Sequence, residues 1–299
     1  MTQPPTQEPQ TEPQTQEPQT EQARRARSYS AGAKIARDRM EREAPLDAQA
    51  LAAVRASDVV VLTGVYDHVD QVLGALEMPF TVVAPGQLGE VRLRPEQLLV
   101  VNCPGQLERR EVLLVRDFVN DGGSLFTTDW ALRHVVEEAF PGTIAFNERP
   151  TQDDVVRIEV RSADNPFLRG VIDPGEDPLW WLEASSYPIR VLDPSVEVLI
   201  ASSELEARYG EAPVAVLFRH GEGEVFHMIS HYYLQRTELR TARHAGNAAA
   251  YAAEKGVAMP AEMVRNLCVG DVESASTSAR MLANLVAAKK RRHPRKEDR

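Results

Sequence analysis

Apolar residues run without a break at Val59-Val60-Val61-Leu62, and the run ends in Thr63-Gly64. A strand buried on both faces reads this way, and burial on both faces goes with parallel pairing. The same form recurs at Phe80-Thr81-Val82-Val83, Leu98-Leu99-Val100-Val101 and Ser124-Leu125-Phe126-Thr127. Helix-period segments are predicted over Val69 to Leu76, Glu111 to Val119 and Ala131 to Ala139, between these runs or after the last. The alternation predicts repeated β-α units: an α/β fold, doubly wound, with a mostly parallel, flavodoxin-like sheet and right-handed crossovers.

Past Pro150 the pattern changes. Val155 to Val160 alternates, while Val196 to Ile200, Val214 to Phe218 and Val225 to Ile229 read as strands added in antiparallel fashion. Arg219 to Glu224 reads as a hairpin connection, in which Gly221 and Gly223 are free to take positive φ. From Tyr232 the spacing of Leu234, Leu239, Ala248 and Tyr251 suggests helix, and a last helix is predicted over Ser274 to Ala288.

Before the first strand, Thr2 to Gln22 repeats proline, glutamine and glutamate with nothing apolar to bury, so residues 1–22 are expected to be disordered. Residues 23–57, rich in Ala, Arg and Glu, are expected to form a solvated or loosely docked helical linker that breaks at Pro45. Residues 58–288 make the folded domain and residues 289–299 a basic tail.

The 299 residues, 43% hydrophobic and 26% charged, suffice for one core without disulfides. Two cysteines and no leader-like start point to a reducing compartment, with cytoplasm as the expected location. The longest apolar runs fall far short of the roughly 20 residues of a membrane span. A net charge of -10 disfavours a general nucleic-acid binder, which leaves Lys289 to Lys296 as the one stretch suited to phosphate contact.

In an open α/β sheet, ligands bind beyond the C-terminal ends of the strands. The segments there are Thr63 to Asp67, Ala84-Pro85-Gly86, Asn102-Cys103-Pro104-Gly105, Thr127-Thr128-Asp129-Trp130 and Ser230-His231-Tyr232-Tyr233. They supply a thiol, a carboxylate and an imidazole. Trp180-Trp181 offers either an aromatic lid or a cap on the core.

Leu98 to Gly105, Val115 to Trp130 with its Asp121-Gly122-Gly123 turn, Asn165 to Val171 and Gly221 to His231, in this order, resemble the class I glutamine amidotransferase-like superfamily, including its non-glutaminase relatives of the trehalose-utilisation type. The resemblance covers roughly Asp58 to Gln235. It implies a nucleophilic cysteine at a strand-to-helix elbow, but the elbow here is Thr127 to Ala131 and holds no cysteine. Asp129 is expected to act as N-cap of the helix from Trp130. Cys103 falls one strand earlier, in the loop that the resemblance assigns to oxyanion-stabilising amides, and no neighbour in sequence lowers its pKa. His231 stands where the resemblance puts a catalytic histidine, yet Tyr233 replaces the carboxylate that would orient it. His227 and His231 without a third ligand define no zinc site.

These residues predict a catalytically silent binding or scaffolding domain with no catalytic residues, metal or cofactor. Cys103, Asp129, Trp130 and His231 would line its ligand site, and a protein or a small molecule would be its partner. The alternative is a small-molecule amide or ester hydrolase using Cys103 or Asp129 with His231.

Overall fold

The apolar runs at 59–62, 98–101 and 124–127 form strands buried on both faces between two helical layers, whereas the run at 80–83 forms an edge strand that leaves Val82 exposed. The computed structural model describes residues 21–173, 178–230 and 242–293. Two helices come first, α1 (Glu21–Glu43) and α2 (Pro45–Ala52), the second opened by a proline at its first turn. Then follow β1 (Val59–Leu62), α3 (Val69–Ala75), β2 (Thr81–Val83), β3 (Leu98–Val101), α4 (Arg109–Asn120) and β4 (Ser124–Thr128). A π-helical turn over Leu132–Val136 leads into α5 (Glu137–Ala139).

The second half adds β5 (Ile144–Phe146), β6 (Asp154–Arg157), β7 (Glu159–Val160), β8 (Leu179–Leu182), β9 (Ile189–Val191), β10 (Glu197–Ala201), α6 (Ser203–Tyr209), β11 (Pro213–His220) and β12 (Gly223–Met228). Helices α7 (Ala248–Glu254), α8 (Ala261–Val264) and α9 (Val269–Arg292) close the chain. None of the described helices is long and apolar enough to cross a membrane.

The eight-stranded sheet has the order β2-β1-β3-β4-β12-β11-β10-β7. Pairing is parallel from β2 through β12 and antiparallel beyond, so the strand expected over Val225 to Ile229 is not a purely antiparallel addition: it lies parallel to β4 and only its β11 side is antiparallel. The continuous alternation read over Val155 to Val160 is in fact split: β6 pairs with β8 in a separate ribbon, and β7 joins the edge of the main sheet. Because β1 lies between β2 and β3, the strand order reverses there, and the loops after β1 and β3 lie side by side, the Val65 N–H donating to the Cys103 carbonyl.

Phe126 and Phe226 point to the sheet face that also receives Phe167, with ring centroids 5.5 and 5.8 Å apart along this row. That face is covered by α9, whose Asn284 donates to the Phe167 carbonyl at 3.0 Å, and by α1 beside it. On the other face Phe218 meets Phe140 at the end of α5. Helix α4 is started by the buried Glu111, whose carboxylate accepts from the N–H of Glu108 at 3.1 Å and of Leu88 at 3.0 Å.

Two sequence expectations need correction. The helix over 23–57 is not solvated: Tyr29, Ala31, Ala33, Ile35, Ala36 and Met40 are all buried. Its small residues allow an approach to α9 so close that a Cβ on Gly32 would lie 2.4 Å from the Ala275 Cβ. The basic run is not a free tail at its start either, because α9 continues through Arg292 and places its cations on internal acceptors. Lys289 Nζ donates to the Gly122 carbonyl at 2.6 Å, Lys290 pairs with Asp58 at 3.2 Å, Arg291 with Asp47 at 2.7 Å, and Arg292 with Glu224. Lys289 and Lys290 are buried, and cations at a helix C-terminus also face the negative end of its dipole. The remainder of that run and the proline-rich segment before Glu21 lie outside the described residues.

Gly32→Val is therefore expected to destabilise the fold by about 1–3 kcal/mol or more, since the added atoms meet backbone of α9 as well as Ala275. Gly74→Ala in α3, where a Cβ meets nothing within 4 Å, should stabilise by about 0.5–1 kcal/mol. Urea unfolding of the two variants checks both signs.

Candidate functional site

Three loops meet at the C-terminal ends of β1, β3 and β4, and glycines set how closely they meet. The Gly64 N–Cα–C unit passes so near the next loop that a Cβ there would lie 2.2 Å from the Cys103 carbonyl oxygen, which accepts from the N–H of Val65 at 3.0 Å. Gly105, at φ +68, packs on the start of the helix after β4, where a Cβ would come within 2.8 Å of the Ala131 Cβ. The Cys103-Pro104 peptide between them is cis.

Asp129 turns the chain at the elbow after β4. Its φ is +46, a left-handed conformation that aspartate tolerates better than most residues but that still stores strain. The expected N-cap is not what this carboxylate does. The left-handed turn aims it away from the following helix, and it accepts instead from Ser186 Oγ at 3.0 Å and from the Tyr187 N–H at 2.8 Å. The carboxyl group is buried, and burial pushes its pKa up from 3.8 to about 7. The hydrogen bonds from Tyr187 and Ser186 oppose that rise, the Asp67 carboxylate adds to it, and a backbone N–H from Ser230 opposes it again.

Cys103 is brought beside this elbow, with the Trp130 N–H directed at its sulfur. The thiol is fully buried and its pKa is driven well above the ordinary range, first by burial and then by the Asp129 carboxylate; the Trp130 N–H opposes and Asp67 adds further. Trp130 donates its indole N–H to the Ser185 carbonyl at 2.7 Å, and its ring contacts Tyr66 edge-on at 5.3 Å and stacks with Tyr187 at 5.7 Å. Tyr187 in turn stacks on Phe146 at 3.9 Å. Val65 and Tyr66 form the exposed rim.

Of the four residues expected to line the site, Cys103, Asp129 and Trp130 are thus brought together, while His231 lies outside the described residues. The neighbouring His227 sits inside the sheet, its Nδ1 2.8 Å from Thr127 Oγ1, and burial pulls its pKa down to about 3. Trp180 and Trp181 lie on β8, where Trp180 donates to the Ile229 carbonyl at 3.3 Å and Trp181 to Asp153. Among the described residues no three histidine, cysteine or acidic side chains are grouped to hold a metal ion.

Sequence reasoning placed Asp67, Asn102 and Thr128 at the strand ends without giving them a role, and it missed Ser186 and Tyr187 as site residues. Thr128 donates to Asp67 at 2.5 Å, and both are completely buried. Asn102 is 1% exposed, yet neither its amide oxygen nor its amide nitrogen has a protein partner. Asp67 and Asn102 are legible as polar residues directly after apolar runs; Ser186 and Tyr187 arrive from a distant loop and leave no local signal.

No family model matches the sequence, and no curated protein matches it. Among solved structures the chain is similar to the GH42 β-galactosidase Gan42B from G. stearothermophilus, at 14% identity and TM-score 0.39, over 58% of this chain and 27% of that one. It is similar to the cytoplasmic protein STM3548 from Salmonella typhimurium at 10% identity and TM-score 0.43, over 61% of this chain and 91% of that one. A ThuA-like protein from Bacteroides uniformis aligns at 13% identity and TM-score 0.41, over 59% of this chain and 82% of that one. The chain spans about a third or less of the length of the glycosidases it matches, 27% and 30% for two of them. The fold assignment rests on the strand order itself.

Asp129→Asn keeps an acceptor for the Tyr187 N–H but cannot titrate. An aspartate held at about 7 when folded and 3.8 when free favours the folded state at low pH and loses that contribution as pH rises through 7. The wild-type advantage over Asp129→Asn should shrink steadily between pH 4 and pH 7 and stay constant above, as thermal melts across that range will record. Iodoacetamide at pH 8 should label the half-exposed Cys268 roughly tenfold or more faster than the sealed Cys103, read by peptide mass spectrometry.

Proposed function

We propose that this chain is a catalytically silent, glutamine amidotransferase-like α/β domain that works by binding a partner rather than by turning over a substrate. The observation that carries this reading is the state of Cys103: a sulfur without solvent exposure, whose ionisation is opposed by burial and by the Asp129 and Asp67 carboxylates. Nucleophilic sulfur chemistry needs the thiolate, and these surroundings favour the thiol. The elbow residue supports the same reading. Its carboxylate is engaged in tying the loop of Ser186 and Tyr187 to the strand ends, so the group in the nucleophile's position serves architecture.

In this reading the binding surface is the rim above the sealed interior, where Val65 and Tyr66 are exposed and Trp130 and Tyr187 stack behind them. Aromatic side chains with a polar edge offer large contact area at low entropic cost, which suits a protein or small-molecule partner. Both cysteines are free thiols, consistent with the cytoplasmic setting that the sequence suggests.

A second reading is favoured by one observation, the left-handed backbone at Asp129. Strain of this kind concentrates at reactive elbows, and a carboxylate there would act as the nucleophile of a small ester or amide hydrolase.

The purified chain is expected to release no ammonia from glutamine, and no nitrophenol from short-chain nitrophenyl esters, above the rate of the heat-denatured protein. Protein-dependent turnover abolished by Cys103→Ala would overturn the binding reading. Turnover in ¹⁸O-water that leaves label in the Asp129 side chain would establish the second.

A further inference from the structure

Residues 183–187 and Thr151 are bonded to one another as a small body of their own. The Thr151 N–H donates to the Ser186 carbonyl at 3.0 Å, and its carbonyl accepts from the Ser185 N–H at 2.8 Å. Its hydroxyl donates to the Glu183 carbonyl at 2.6 Å and accepts from the Ser186 N–H at 3.1 Å. Lifting this body from the sheet would break none of those bonds. Its ties to the strand ends are different ones. Both oxygens of the buried Asp129 carboxylate serve it, Oδ2 accepting from Ser186 Oγ and Oδ1 from the Tyr187 N–H. Trp130 donates to the Ser185 carbonyl, and the Glu183 N–H donates to Ser230 Oγ at 3.2 Å.

We propose that Asp129 is a proton-operated latch: with its proton on, it holds residues 183–187 down on the strand ends, and on losing the proton to solvent it lets them lift. This rests on the binding reading only in making part of the aromatic rim, Tyr187, the part that moves.

The groups facing the carboxylate from each element set the direction. Asp67 comes from the loop after β1, the Cys103 thiol from the loop after β3, the Ser230 N–H from the turn after β12 and the Tyr187 phenol from the moving body, with Arg133 and Glu148 bearing on that phenol. The bonds from Tyr187, Ser186 and Ser230 favour a charged Asp129, while burial and Asp67 oppose it, and the opposition prevails: the acid keeps its proton up to about 7. Lifted into water, it would return toward 3.8, so the lifted state binds fewer protons. Closure is fully supported below about 3.8, loses support as pH climbs and levels off above about 7. The neutral acid keeps its contacts, because Oδ1 still accepts from the Tyr187 N–H and a serine hydroxyl accepts as well as donates.

Amide hydrogen exchange of the full chain, corrected for the intrinsic rate at each pH, tests the latch. Protection of the Tyr187 N–H is expected to fall roughly tenfold or more between pH 5 and pH 7.5, and to stay below that of Phe226, a core residue of β12 whose amide opens only when the sheet unfolds. In Asp129→Asn, which tolerates the same left-handed backbone, Tyr187 protection should be level with pH. Wild-type protection that is level or rises with pH, that matches Phe226 throughout, or that falls equally in the variant would overturn the proposal. The wild-type comparison stands alone if the variant does not fold. Exchange is read without partner or substrate, so its outcome and that of the turnover assays are independent.

Discussion

A parallel sheet has no face that water can wet cheaply, so the inner strands β1, β3, β4 and β12 have to be covered twice, while the edge strand β2 leaves Val82 exposed. On one face the cover comes from two helices at opposite ends of the chain, and their fit depends on a backbone-to-backbone approach at Gly32 and Ala275 that only small residues permit. With α1 and α9 in place, Phe126, Phe226 and Phe167 are sealed, and the strand starts acquire their counter-charges. Asp58 and Glu224, next to or at the beginnings of β1 and β12, are met by Lys290 and Arg292 from the end of α9. The cations that look like an interaction tail thus close the lower edge of the sheet.

The opposite edge is organised by a single turn. The left-handed φ of Asp129 swings its carboxylate out of the helix direction and into the loop of Ser185, Ser186 and Tyr187, and Ser185 is itself left-handed at φ +71. Two strained residues facing each other across a short carboxylate bridge are held because each fixes the other's loop. Trp130 reinforces the junction through its bond to the Ser185 carbonyl and through the ring row of Tyr66, Trp130, Tyr187 and Phe146. The result is a filled elbow whose exposed part is the aromatic rim.

The strands were legible because burial on two faces demands continuous apolar runs, and β1 and β3 begin and end where those runs do. The docking of α1 was not, because its buried face mixes a few large residues, Tyr29, Ile35 and Met40, with alanine and Gly32, which carry little hydrophobic signal while permitting the closest packing. The site was half legible. Cys103 and Asp129 could be placed from their positions after apolar runs, but the partners that decide their chemistry, Ser186 and Tyr187, come from a loop whose route no local pattern encodes. Backbone handedness was also hidden: an aspartate before a helix reads as a cap until its φ is known.

Burial and specific charge partners both shift a pKa, and which of them leads differs from site to site. Catalytic groups are tuned by specific charge partners as well as by burial, so that one group holds a proton where its neighbour has released it. At this end of the sheet the first cause is the same for Cys103, Asp129 and His227, and it is burial. Burial drives acids up and the imidazole down, which makes all three neutral together across the range between about 3 and about 7. A neutral thiol, a neutral acid and a neutral imidazole can pack and share hydrogen bonds within that range. Above about 7 the Asp129 carboxylate ionises, and the hydrogen bonds from Tyr187 and Ser186 favour that charge.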